Sequence, residues 1–297
     1  MIQTIMIILE QVCLYVPLIC GAYISFSLLK LPDISIESAY VFGAICAYNV
    51  IYFTDKFPAG ISFFLAIVAS IIGGMIVGCI VTLLTRIAHI PHLLASILTI
   101  GLFHGINQFV LGGAHVSLSL YNNILSFFSC SAANPELSIL LIISAFVIVL
   151  LYLFFKTQIG FCGVVYGNNP SFFEHYRISS HFIVAIGLII SNGLAGLSGF
   201  LVAQTTGFVD INAGFGIPLF CVTTLILGKL LTRFSRSLIK IGMPILGLVC
   251  YMTIQQLLLK VGFNLKYFTM VQSIIVIVLL VYAYRKHTLK VHDMLGI

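Results

Sequence analysis

Ser198 sits in the run Gly196-Leu197-Ser198-Gly199, the spacing of a serine nucleophile held between small residues inside a membrane. Such a serine needs a histidine base within hydrogen-bond reach. The only histidines after it are His287 and His292, both in a basic tail, so the base is missing and proteolysis is set aside. His89 and His92 flank Pro91 with no acid or cysteine beside them, and an interfacial role is expected rather than a metal pair. The eight cysteines form no CxxC pair and most lie in apolar runs, where cysteine packs as a small hydrophobe. No Gly-x-x-x-x-Gly-Lys-Ser/Thr phosphate loop exists, so the chain does not itself bind ATP. No catalytic residue, cofactor or metal is expected.

The remaining chemistry is polar residues in costly places. Residues 161–179, FCGVVYGNNPSFFEHYRIS, crowd Gly, Asn, Pro, Glu174, His175 and Arg177 into a chain that is only 7% charged. Asp33, Ser35 and Glu37 follow Pro32 between two apolar runs, and Asp210 and Asn212 recur after another. Asn192 and Gln204 lie inside an apolar run, where helix–helix hydrogen bonds are their default role, as they are for Gln255 and Gln256.

The elements that must position these residues are membrane helices. The chain is 61% hydrophobic, with a mean hydropathy of +1.18. About 20 apolar residues cross a bilayer core of about 30 Å. The continuous runs exclude a β-barrel, whose strands alternate. Polar and Gly/Pro breaks define nine spans, near 5–29, 34–53, 61–86, 91–111, 137–156, 181–205, 214–229, 239–259 and 267–285. The first Lys or Arg is Lys30, so the basic start of a signal peptide is missing and the first run is expected to remain a spanning helix. The expected fold is all-α and polytopic.

Charge orients the spans. With the C-terminus inside, the inner set is Lys30, Arg86, Lys156, Arg177, Lys229, Arg233, Arg236, Lys240, Arg285, Lys286 and Lys290. The outer set is Lys56, Lys260 and Lys266, so the split is eleven against three. The positive-inside rule selects this orientation, with the N-terminus outside. A net charge of +6 is then that of inner loops and implies no nucleic acid partner.

Residues 157–180 fall inside and are long for a connection in a compact bundle. Asn168, Asn169 and Pro170 read as a helix start, with Asn at the cap and Pro at the first position. Glu174 follows, where an acid suits the helix dipole. A short helix over 170–177, lying under the membrane, is the expectation. A structural connector and a partner-docking helix both fit these residues.

This stretch resembles the cytoplasmic loop of permease subunits of bacterial ABC importers for branched-chain amino acids and ribose-type sugars. Gly160, Gly163, Gly167, Asn168, Asn169 and Pro170 carry the resemblance, although Val164 and Val165 fill the place of a basic residue and Arg177 that of a Gly. LPDISIESAYVFGA (31–44) and SNGLAGLSGFLVAQTTGFVDINAGFG (191–216) are similar to further signatures of that family, and the likeness covers about 20 to 285. The resemblance implies a single transmembrane permease domain over 1–297 in the bacterial inner membrane. It implies a coupling helix, with Gly160, Gly163, Gly167, Asn168, Asn169, Pro170 and Glu174 gripping a separate ATPase subunit. It also implies an extracytoplasmic solute-binding protein, a second permease copy or a paralogue, and import of a small solute, amino acids first. The alternative is a stand-alone secondary transporter, which would carry no docking loop.

Gly21 precedes Asp33-Ile34-Ser35-Ile36 much as Gly199 precedes Asp210-Ile211-Asn212-Ala213. The two host helices run in opposite senses, the mark of an inverted-topology repeat, with chance similarity as the alternative. Asp33, Ser35, Glu37, Asn192, Gln204, Asp210 and Asn212 are the pathway candidates. The spans put Asp33 near the inner face and Asp210 near the outer one, as gates or as plain helix caps.

Overall fold

A computed structural model describes residues 2–54, 56–118, 135–176, 179–232, 242–263 and 267–285. The helices are α1 (Ile2–Ala22), prolonged by a π-helical turn (Tyr23–Leu28), then α2 (Ile36–Phe53), α3 (Ala59–Arg86) and α4 (His92–Leu111). Next come α5 (Pro135–Lys156), α6 (Gln158–Asn168), α7 (Pro170–His175) and α8 (His181–Thr206). A 3-10 turn (Ile211–Gly214) leads into α9 (Ile217–Thr232), followed by α10 (Gly242–Lys260) and α11 (Phe268–Arg285). Among the described residues eight helices, those built on α1 to α5 and α8 to α10, are long and apolar enough to cross a membrane. A shorter apolar stretch, Thr269–Val278, lies in α11. Each of the nine expected spans therefore meets a helix, and the protein is a polytopic, all-α membrane protein. Helices prevail because a bilayer offers no water to satisfy backbone groups.

α8 is the hub, packing on α1, α2 and α3. Small residues let the backbones touch. A β-carbon on Gly43 would meet the Cα of Gly196, and one on Gly199 the carbonyl of Tyr40. One on Gly74 would meet the carbonyl of Asn192, and one on Gly196 that of Ser70. Ser198 Oγ donates to Leu14 O at 2.7 Å and Ser191 Oγ to Gly21 O at 2.8 Å, so α1 and α8 run antiparallel. The Gly196–Gly199 run is thus a packing seam, with its serine hydroxyl tied to α1.

Two sets of helix contacts are alike. α1 lies against α9 and α10 as α8 lies against α2 and α3. Both long helices are followed by an aspartate turn and a shorter helix. The α2–α3 hairpin closes on Gly73 and the α9–α10 hairpin on Gly228 and Gly247.

Two local features differ from the sequence expectation. Residues 158–168 form a helix rather than loop, because Thr157 Oγ1 accepts from Gly160 N at 3.2 Å and caps it. A two-stranded antiparallel sheet also joins the ends of α4 and α8, pairing β1 (His115–Ser117) with β2 (Phe208–Asp210).

Candidate functional site

The break between α1 and α2 builds a buried polar node. Asp33 is 0% exposed. Its Oδ1 accepts from Ser35 N at 3.0 Å, Ser35 Oγ at 2.5 Å and Ser96 Oγ at 3.2 Å. Its Oδ2 accepts from Asn192 Nδ2 at 2.8 Å. Ser35 Oγ also lies 3.3 Å from Asn192 Oδ1. The node fastens the α1–α2 break to α4 and to the middle of α8. Asn192 faces Gly74, about half-way along α3. Asp33 therefore sits at mid-height in the bundle, not near the inner face as the span boundaries suggested. The chain rises again through 29–35 before α2 begins, and sequence spans cannot show that return.

Asp210 makes the same local turn, its Oδ1 accepting from Asn212 N at 2.8 Å. Its surroundings differ. Asp210 is half-buried and lines a cavity of about 270 Å³ between α1, α2, α8 and β2. A second cavity of about 230 Å³ lies between α1, α9, α10 and α11. Tyr15 and Ala213 line both, so the two adjoin. Among the sequence candidates Asp33, Ser35 and Asn192 come together, and Asp210 reaches a cavity. Asn212 is exposed, Gln204 is buried, and half-buried Glu37 offers its backbone to Gly214. The helix–helix reading of Gln256 holds, since its Nε2 donates to Gln11 Oε1 at 2.9 Å.

The sequence reading missed Ser96, Tyr15, Tyr40, Phe220, Tyr251 and Gln272. Each is an ordinary residue of an apolar helix, and only packing sets it apart. Among the described residues no group of three or more His, Cys, Asp or Glu could hold a metal ion.

A second surface is built by α6 and α7. Gly160, Gly163 and Gly167 are buried. Any side chain at Gly163 or Gly167 would strike Leu28, and one at Gly160 would strike Phe154. The chain's own Leu28 and Phe154 thus occupy that side of the three glycines. Asn168, Asn169 and Pro170 face outward, with Phe161, Phe172 and Tyr176 exposed among them. Asn169 Oδ1 accepts from Ser171 Oγ at 2.6 Å at the start of α7. Arg86 Nη2 donates to Tyr166 Oη at 2.9 Å, and Tyr166 meets the ring of buried Phe173 edge-on, so α3, α6 and α7 are clamped together. Arg177 lies outside the described residues, and so does the side chain of Glu174.

Residues 4–280 match the family described as branched-chain amino acid transport system / permease component. The chain belongs to this permease family. The permease is 31% identical over 260 residues to the uncharacterized protein RP368 of Rickettsia prowazekii (strain Madrid E), covering 86% of its own length and 89% of that protein's. It is 33% identical over 224 residues to the tyrosine transport system permease protein of Clostridioides difficile (strain R20291), covering 73% of its own length and 69% of that protein's. No solved structure matches it. The permease is a multi-pass transport subunit of the ABC-importer type and not an enzyme.

Proposed function

We propose that the chain forms the pathway through which a small solute, an amino acid and aromatic first, is imported at the expense of ATP hydrolysed by a separate subunit. An extracytoplasmic solute-binding protein supplies the cargo, and a second copy or a paralogue of the chain completes the pathway. The observation that carries this reading is the α6–α7 unit. It is rigidly clamped on its inner side and exposes Phe161, Phe172 and Tyr176 beside Asn168, Asn169 and Pro170. Large exposed rings among polar residues are the composition of a docking surface. The tyrosine permease named above supports an aromatic amino acid as the cargo, and the aromatic lining of the adjoining cavities fits it.

Purifying the full-length chain from its own membranes tests the reading: an ATPase subunit should accompany it. A chain that carries out uptake with no ATPase attached would make it a secondary transporter. Pro170→Leu and Glu174→Lys are expected to remain in the membrane yet lose most ATP-dependent uptake. If both variants transport normally with the ATPase bound, α7 is only a connector.

The N-terminus is placed outside and the C-terminus inside, on the eleven-to-three split of Lys and Arg. Reporter fusions after Lys156 and after Lys266 should give inside and outside signals respectively. An outside signal after Lys156 would overturn the topology and the docking argument with it.

A further inference from the structure

The cavity between α1, α9, α10 and α11 has an unusual lining. Gln11, Gln255 and Gln272 come from three different helices. Tyr15, Phe220 and Tyr251 form an edge-on aromatic chain, with ring centroids 5.1 Å apart for Tyr15 and Phe220 and 4.8 Å apart for Phe220 and Tyr251. No Asp, Glu, Lys, Arg or His is among the described lining residues. Gln272 is 3% exposed, and among the described residues its Nε2 meets no acceptor. A buried amide donor without a partner is unfavourable, so the fold holds it against that cost.

We propose that this cavity binds an aromatic solute of zero net charge, with an acceptor group of the solute taking the Gln272 Nε2 hydrogen. The proposal rests on the transport reading and names a binding site within it. Three points fix the ligand class. The aromatic chain offers ring edges and faces, which prefer another ring at about 4.5–7 Å. Glutamine side chains carry both donors and acceptors, so they match a solute that presents both, as a zwitterionic amino acid does. An ionised side chain on the solute would add a further desolvated charge that meets no counter-charge among the described lining residues, which is unfavourable. The volume, about 230 Å³, admits one such molecule and little else. Tyr15 and Ala213 line both this cavity and the one beside Asp210, so a bound solute stands next to that second cavity.

The chain contains no Trp, so L-tryptophan itself can serve as the fluorescent probe. With the full-length permease in lipid nanodiscs, its emission should shift to the blue and saturate. Gln272→Leu should weaken that binding by about five- to tenfold, the range set by one hydrogen bond. L-Tyrosine should compete, and L-arginine, with its net charge, should not. Unsaturable emission, unchanged affinity in Gln272→Leu, or equal competition by L-arginine would each overturn the proposal. Should Gln272→Leu not fold, Gln272→Asn keeps the amide but shortens its reach. It is then expected to show the weakening, and unchanged affinity in it is equally fatal. Uptake by cells is scored separately. If cells carrying the whole transporter fail to take up aromatic amino acids, the transport reading fails. If uptake persists but Gln272 variants bind the probe unchanged, only the cavity assignment fails.

Discussion

Asp33→Leu should lower the stability of the folded permease by about 2–3 kcal/mol. The figure follows from which donors are stranded. Ser96 Oγ keeps His92 O at 3.0 Å and Asn192 Nδ2 keeps Leu188 O at 3.0 Å. Ser35 N loses its acceptor, and Ser35 Oγ is left with Asn192 Oδ1 at 3.3 Å. A buried donor left without its acceptor costs about 1–3 kcal/mol in water-soluble proteins, while pairs inside a membrane average about 0.6 kcal/mol, so the loss stays well below the sum of four bonds. Asp33→Asn should cost less, because Oδ1 can remain an acceptor for Ser35 and Ser96. Thermal melts in detergent should rank wild type above Asp33→Asn above Asp33→Leu. Equal melting of all three would mean that the node does not hold the α1–α2 break. Asp210→Asn should melt like wild type, since Asn caps a turn nearly as well as Asp. Its uptake per folded molecule reads the separate proposal that a charge beside the cavity acts on the pathway, and a normal rate would leave Asp210 as a cap.

The second large effect lies in the glycine seams. Gly74→Leu and Gly43→Leu are expected to prevent accumulation of folded protein. Each new side chain would run into backbone, that of Asn192 for Gly74 and that of Gly196 for Gly43. Backbone cannot rotate aside as a side chain does, so α2, α3 and α8 would have to separate. Overpacking a tight core costs about 1–3 kcal/mol even where side chains can yield. Gly101→Leu is the control. Gly101 and Gly105 repeat the spacing of Gly74 and Gly78, yet among the described residues nothing lies within 4 Å of a β-carbon at either. Membrane levels measured by immunoblot and size-exclusion profiles should show Gly101→Leu near wild type and Gly74→Leu nearly absent. Similar levels for the two would show that the α3–α8 seam tolerates separation.

That contrast marks the limit of reading the chain as a string. Eight of the nine expected spans, their order, the all-α class and the start of α7 at Pro170 were legible because each depends on a local quantity. Apolar run length selects a spanning helix, and Asn followed by Pro selects a helix start. The permease family was legible too, from three short stretches in order. The rest depended on which side of a helix meets protein. In a membrane the lipid-facing and protein-facing sides are both apolar, so hydrophobic periodicity carries little information about burial. Gly74-x-x-x-Gly78 and Gly101-x-x-x-Gly105 are therefore alike in sequence and opposite in role. Gly160, Gly163 and Gly167 read as part of a partner-binding loop, and folding turns them inward onto Leu28 and Phe154. Asp33 and Asp210 read as equivalent, and each does accept from the backbone nitrogen two residues on. Only the tertiary structure seals Asp33 among Ser35, Ser96 and Asn192 and leaves Asp210 on a cavity wall. The aromatic and glutamine-lined cavity draws Tyr15, Phe220 and Gln272 from helices far apart in the chain. A site built by helix crossings has no local spacing to betray it, so its residues became visible only once the helices were packed.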